Sequence, residues 1–151
     1  MKLCFFDSSA LVKRYVEEIG TQWVQERTDS AIIFVSRLTW VEVLSAFARL
    51  SREPKADSTR LLATRQLFQY DWKSQYQIVE VNQEIVNSAG QLVQQHALRA
   101  YDSMQLASAL SLYPLFDRIA PGLFTFVCAD DRLLNAAAAE GMQVENPNGH
   151  P

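Results

Sequence analysis

Apolar and polar positions along the 151 residues follow two alternating rhythms, short apolar runs between longer stretches of helical period. Leu3–Phe6 predicts a first strand, apolar on both faces. Ser8 or Ser9 is placed to cap a helix running to about Glu18, and Gly20 stands where a C-terminal glycine belongs. Thr21–Arg27 predicts a brief second helix. Ala31–Val35, apolar and β-branched, predicts strand two, closed by Ser36. Leu38 to about Ser51 has no helix breaker. Glu53-Pro54 interrupts, and Asp57 to about Lys73 resumes as a polar, amphipathic helix. Ile78–Val81 predicts strand three, followed by helices over about Gln83–His96 and Ala100–Leu112. A loop with Pro114, Pro121 and Gly122 precedes strand four, Phe124–Cys128. Asp131–Glu140 predicts a helix ended by Gly141, and Met142–Val144 a last short strand.

Strands separated by one or two helices need crossover connections. The expected class is therefore α/β, a three-layer α/β/α fold around a mostly parallel sheet of four to five strands. The pattern predicts one domain over residues 1–145 and a polar C-terminal tail at 146–151. Ligands of such sheets bind beyond the carboxyl ends of the strands.

Composition supports a packed core, with 48% hydrophobic and 21% charged residues. Two cysteines, Cys4 and Cys128, and two histidines, His96 and His150, are too few and too scattered for a disulfide framework or a zinc ribbon. A net charge of −3 argues against holding nucleic acid by bulk positive charge. No apolar stretch approaches the roughly 18 residues that span a bilayer. The apolar start stops at Asp7, too soon for a secretory segment, so a cytoplasmic protein is expected.

The acids follow the predicted strand ends. Asp7 comes directly after strand one, and Asp130-Asp131 after strand four; each position suits a helix cap as well as a functional site. Glu42 shares one stripe of its helix with Thr39, Ser45 and Arg49, a pattern that also fits a solvated face. Asp102 shares a partly apolar face with Gln105, Leu106 and Ala109, although the first turn of a helix also favours an acid. No lysine or arginine reads as dedicated to neutralising these carboxylates. Such a group repels itself unless protons or cations intervene, and all-oxygen donors suit Mg²⁺ or Mn²⁺. Ions of that kind activate water and polarise phosphoryl oxygens, which points to phosphodiester hydrolysis.

The motifs Phe5-Phe6-Asp7-Ser8-Ser9-Ala10-Leu11, Leu38-Thr39-Trp40-Val41-Glu42-Val43-Leu44, Leu98-Arg99-Ala100-Tyr101-Asp102-Ser103-Met104-Gln105-Leu106-Ala107 and Phe126-Val127-Cys128-Ala129-Asp130-Asp131 together resemble the PIN-domain family, and within it the VapC-type toxins. The resemblance implies a metal-dependent endoribonuclease in which Asp7, Glu42, Asp102 and Asp130 bind Mg²⁺ or Mn²⁺. It assigns Ser9 to positioning the first carboxylate, with Asp131 assisting or serving its helix end. It also implies an RNA substrate, a homodimer and a cognate VapB-like antitoxin whose tail covers the site. Cys128 departs from the family, which often has Ser or Thr two residues before the fourth acid, and a thiol is a weaker hydrogen-bond donor.

Lys13, Arg14, Arg37 and Arg49 are candidates for contact with RNA phosphates, against a reading as solvated helix faces. Cys4 and Cys128 read as small apolar residues of buried strands, and Trp23, Trp40 and Trp72 as core or dimer-interface residues. A non-catalytic PIN-like module that binds RNA or protein is the alternative function. Phosphatases of the haloacid dehalogenase type fit poorly, because Ser9 stands where their second acid belongs and no lysine follows Lys73.

Overall fold

The computed structural model describes residues 1–151. Its elements are β1 (Lys2–Phe6), α1 (Ser8–Leu11) with a 3₁₀ turn over Val12–Arg14, α2 (Thr21–Ser30), β2 (Ala31–Ser36), α3 (Arg37–Ser51), α4 (Ser58–Ser74) and β3 (Tyr76–Val79). They continue with α5 (Gln83–Gln95), α6 (Ala100–Leu110), α7 (Tyr113–Ile119), β4 (Phe124–Val127), α8 (Asp131–Ala139), β5 (Gln143–Glu145) and a 3₁₀ turn over Pro147–Gly149. The five strands form one sheet in the order β3-β2-β1-β4-β5, and every neighbouring pair is parallel. No helix is long and apolar enough to cross a membrane.

Strand alternation sends successive side chains to opposite faces, and both faces are covered. Leu3, Phe5, Phe124 and Phe126 pack against Ile85, Leu92, Leu106 and Leu133 of α5, α6 and α8. Cys4, Phe6, Ile33, Val35 and Val127 pack on the other side against Val24, Val43, Phe47, Phe68 and Trp72 of α2, α3 and α4. Helix, sheet and helix thus make the three expected layers. Both cysteines are free and buried within them.

Local differences from the sequence reading have identifiable causes. The first helix does not continue to Glu18; it tightens to a 3₁₀ turn and stops at Tyr15. The Tyr15 ring is held edge-on by Phe47 and Phe68, while its hydroxyl donates to Asp71 Oδ2 at 2.7 Å. Strand three begins two residues early, because Tyr76 is buried and pairs with Ile33. Helix α7 occupies the expected loop. Pro114 sits at its start, where a missing N–H costs nothing, and Phe116 stacks on Phe124 with centroids 5.6 Å apart.

The last six residues fold back on the body. Pro147 is buried, and the His150 ring stacks on Trp23 at 4.6 Å. Gly20, which caps α2 at φ +86°, lies so close to the Pro147 carbonyl that a side chain there would collide with it.

Candidate functional site

Asp7 leaves the carboxyl end of β1 with its backbone N–H bonded to the Val127 carbonyl at 3.1 Å. Its side chain caps α1: Oδ1 accepts from the Ala10 N–H at 3.1 Å and from the Ser9 hydroxyl at 2.8 Å. Only 5% of the residue is exposed, and no lysine, arginine or histidine pairs with it. Burial pushes its pKa up to about 7 despite those hydrogen bonds, with the nearby Glu42 charge adding to the rise.

Ser9 couples this first acid to the strand-four side. Its hydroxyl oxygen accepts from the Ala129 N–H at 3.0 Å, with the Cys128 sulfur 3.7 Å away. Cys128 Sγ in turn accepts from the Asp130 N–H at 3.3 Å, so the thiol does hold the backbone of the fourth acid, through a soft acceptor. Burial raises the thiol's pKa and keeps it neutral. Asp130 divides its two oxygens. Oδ1 caps α8 by accepting from Arg132 and Leu133 N–H at 2.9 and 3.2 Å, while Oδ2 points to Arg99.

Arg99 was not anticipated as a counter-ion. Its Nε donates to Asp102 Oδ2 at 3.2 Å and its Nη2 lies 3.8 Å from Asp130 Oδ2, so one guanidinium spans the acids of two elements. The expectation that no arginine serves the carboxylates is therefore corrected. Asp102 occupies the first turn of α6, where the helix dipole also favours it.

Glu42 is fixed by a second unanticipated residue. Gln105, one turn along α6 from Asp102 and 2% exposed, directs Nε2 to Glu42 Oε1 at 2.8 Å and to Ser8 Oγ and Thr39 Oγ1 at 3.0 Å each. Its own Oε1 is buried with no partner. Burial raises the Glu42 pKa, the Gln105 bond opposes that rise, and the Asp102 charge adds to it. A signal for Gln105 was present in sequence: it lies three positions after Asp102, on the same helix face.

The structure thus brings Asp7, Glu42, Asp102, Asp130 and Ser9 to the carboxyl edge of the sheet. It does not bring the other candidates there. Asp131 accepts from the Asn146 side chain at 2.8 Å and so faces the C-terminal tail. Lys13 is buried and paired with Glu18 at 2.9 Å. Arg14 pairs with Asp29 of α2 and Asp71 of α4 at 3.4 Å each. Arg37 is tied to Glu80 through two hydrogen bonds. Arg49 alone of these four is exposed and without an ion pair. No three acidic, histidine or cysteine groups converge closely enough to hold an ion as the side chains stand. The donor set still fits a hard cation: Asp7 and Glu42 have no positive partner, and Asp102 and Asp130 are engaged only by an exposed arginine.

Comparison with known proteins gives a consistent picture. The family model for the PIN domain matches residues 4–112, a span containing three of the acids and both Arg99 and Gln105. Two curated relatives, Ribonuclease VapC45 and Ribonuclease VapC49 from two strains of Mycobacterium tuberculosis, are each 32% identical over 145 residues, 95% of both chains. Among solved structures, a toxin–antitoxin complex from Klebsiella pneumoniae aligns with a TM-score of 0.64 at 17% identity, covering 95% of this chain and 97% of that one. VapBC2 from Rickettsia felis, bound to a promoter DNA fragment, aligns with a TM-score of 0.61 at 10% identity, covering 95% and 98%. At these identities the structural likeness speaks for the fold.

Proposed function

The chain belongs to the PIN-domain family, and from that premise we propose that it is a metal-dependent endoribonuclease acting as the toxin of a toxin–antitoxin pair. One observation carries the reading: a buried aspartate with no cationic partner, Asp7, shares the sheet edge with three further carboxylates from separate elements. Asp7, Glu42, Asp102 and Asp130 are the residues that would hold Mg²⁺ or Mn²⁺. Such an ion supplies a polarised phosphodiester and a water of lowered pKa.

The protein's own part is to hold charge ready in a fixed geometry. Ser9 and the Ala10 N–H fix one oxygen of Asp7 and leave the other free of them. Gln105 holds Glu42 against rotation and favours its charged form. The α8 cap immobilises Asp130 through Oδ1 and leaves Oδ2 on the site side. These contacts fix three of the four carboxylates before substrate arrives, so fewer side chains must settle than in a loose cluster.

A cognate antitoxin of the VapB kind, a second copy of the chain and an RNA substrate are the partners of this reading, and the cytoplasm is where they meet. The Klebsiella relative in fold is itself described as a toxin–antitoxin complex, and the Rickettsia one as VapBC2 bound to promoter DNA.

The test is cleavage of total RNA by the purified protein with Mg²⁺, Mn²⁺ or EDTA, beside Asp7→Asn and Asp102→Asn. Discrete, metal-dependent fragments are expected, reduced at least 100-fold in either variant. Equal cleavage by the variants, or cleavage that persists in EDTA, would overturn the assignment. Folded protein that binds RNA without cutting it would favour the binding-module alternative.

A further inference from the structure

We infer that Arg99 is a built-in counter-ion of the site, holding Asp102 and Asp130 until a divalent cation displaces it. The inference rests on the metal-dependent reading above and deepens it.

The geometry is asymmetric. Arg99 reaches two carboxylates on different elements, 3.2 Å to Asp102 at the start of α6 and 3.8 Å to Asp130 at the cap of α8. Its backbone is fixed as the N-cap of α6, where its carbonyl accepts from the Ser103 N–H, yet its side chain is 76% exposed. Leaving the carboxylates therefore costs the guanidinium no packing. The acids it holds are both partly exposed, with side chains 19% and 36% accessible, whereas Asp7 is buried. Asp7, which is buried, and Glu42, which is partly buried, form no ion pair with any cation.

One positive charge placed between two of four carboxylates relieves part of their mutual repulsion. A doubly charged ion drawn in by Asp7 and Glu42 relieves more, and it needs the same oxygens of Asp102 and Asp130. The two cations exclude one another by charge as well as by shared ligands. Arg99 thus competes with the metal, and its removal strengthens metal binding. A residue needed to shape the site would have the opposite effect.

The experiment is calorimetric titration of Mn²⁺ into the RNA-free protein at neutral pH, comparing wild type, Arg99→Gln, Arg99→Lys and Arg118→Gln. Arg118 is exposed on α7, away from the acids, and controls for net charge. Arg99→Gln is expected to tighten Mn²⁺ binding about three- to tenfold, the scale of one or two partly exposed ion pairs. Arg99→Lys stays within about twofold of wild type because it keeps the charge, and Arg118→Gln within the same margin because it never met the acids. Unchanged or weaker binding by Arg99→Gln, with wild type binding normally, would overturn the inference alone. Tightening of the same size in Arg118→Gln would also overturn it, by tracing the effect to net charge. If the wild type takes up no Mn²⁺, the metal-dependent reading falls, and this inference with it.

Discussion

Asp7 serves two ends that pull against each other. As a cap it satisfies the first turn of α1, and as a buried carboxylate it carries a desolvation cost that nothing cationic offsets. The folded, metal-free chain therefore keeps a proton that the unfolded chain releases near the ordinary value of 3.8. The sign follows from linkage: the stability this group contributes is complete at low pH and is lost as pH rises from about 4 to about 7. At roughly 1.4 kcal/mol per unit, the loss is a few kcal/mol. In EDTA at pH 8, Asp7→Asn is expected to unfold at higher urea than wild type by about 2–4 kcal/mol, with the difference nearly gone at pH 4. Asparagine keeps the cap, so the comparison isolates the charge. Matching midpoints at both pH values would contradict it. The four acids were legible in sequence because each follows or punctuates an apolar run. Arg99 and Gln105 were not recognised as partners, although Gln105 lay on Asp102's helix face. Arg99's link to Asp130 and Gln105's links to Ser8, Thr39 and Glu42 join elements far apart in the chain.

At the scale of elements, pattern located all five strands and most helices, and it failed where tertiary contacts override local signals. Tyr15 ends the first helix because its ring and hydroxyl are claimed by α3 and α4. Pro114 reads as a breaker in a one-dimensional scan, yet at a helix start it is at home. Gly20 reads in sequence as the end of the first helix but instead precedes α2, and the reason it must be glycine lies 127 positions away at Pro147. Gly20→Ala is expected to cost about 2 kcal/mol or more in urea denaturation, from positive φ and from collision with the folded-back tail. In a chain ended after Glu145 the collision is absent, and only the backbone part of about 1–2 kcal/mol remains. Equal costs in the two backgrounds would show that the tail does not press on Gly20.

The whole molecule has two cores on the two faces of one sheet, and all three tryptophans belong to the same side. Trp72 is buried there, with Trp23 and Trp40 packed beside it. Tryptophan fluorescence thus reports one layer, whereas far-UV circular dichroism reports all three. The strands between the layers are shared, so the two signals are expected to give coincident urea transitions. Phe68→Ala, which empties the space between Tyr15, Trp40, Phe47 and Trp72, is expected to lower both together by about 3–5 kcal/mol. Separate transitions would mean that each layer melts on its own. The sheet order has a consequence during synthesis. β1 lies at the centre, with β2 on one side and the much later β4 on the other. A ribosome that has delivered Asp7, Glu42 and Asp102 has yet to deliver the strand that presents Asp130 and the Ala129 amide to Ser9. On the ribonuclease reading, the growing polypeptide is harmless to the message that encodes it and to the machine translating it. The blade is assembled only after that strand has been made.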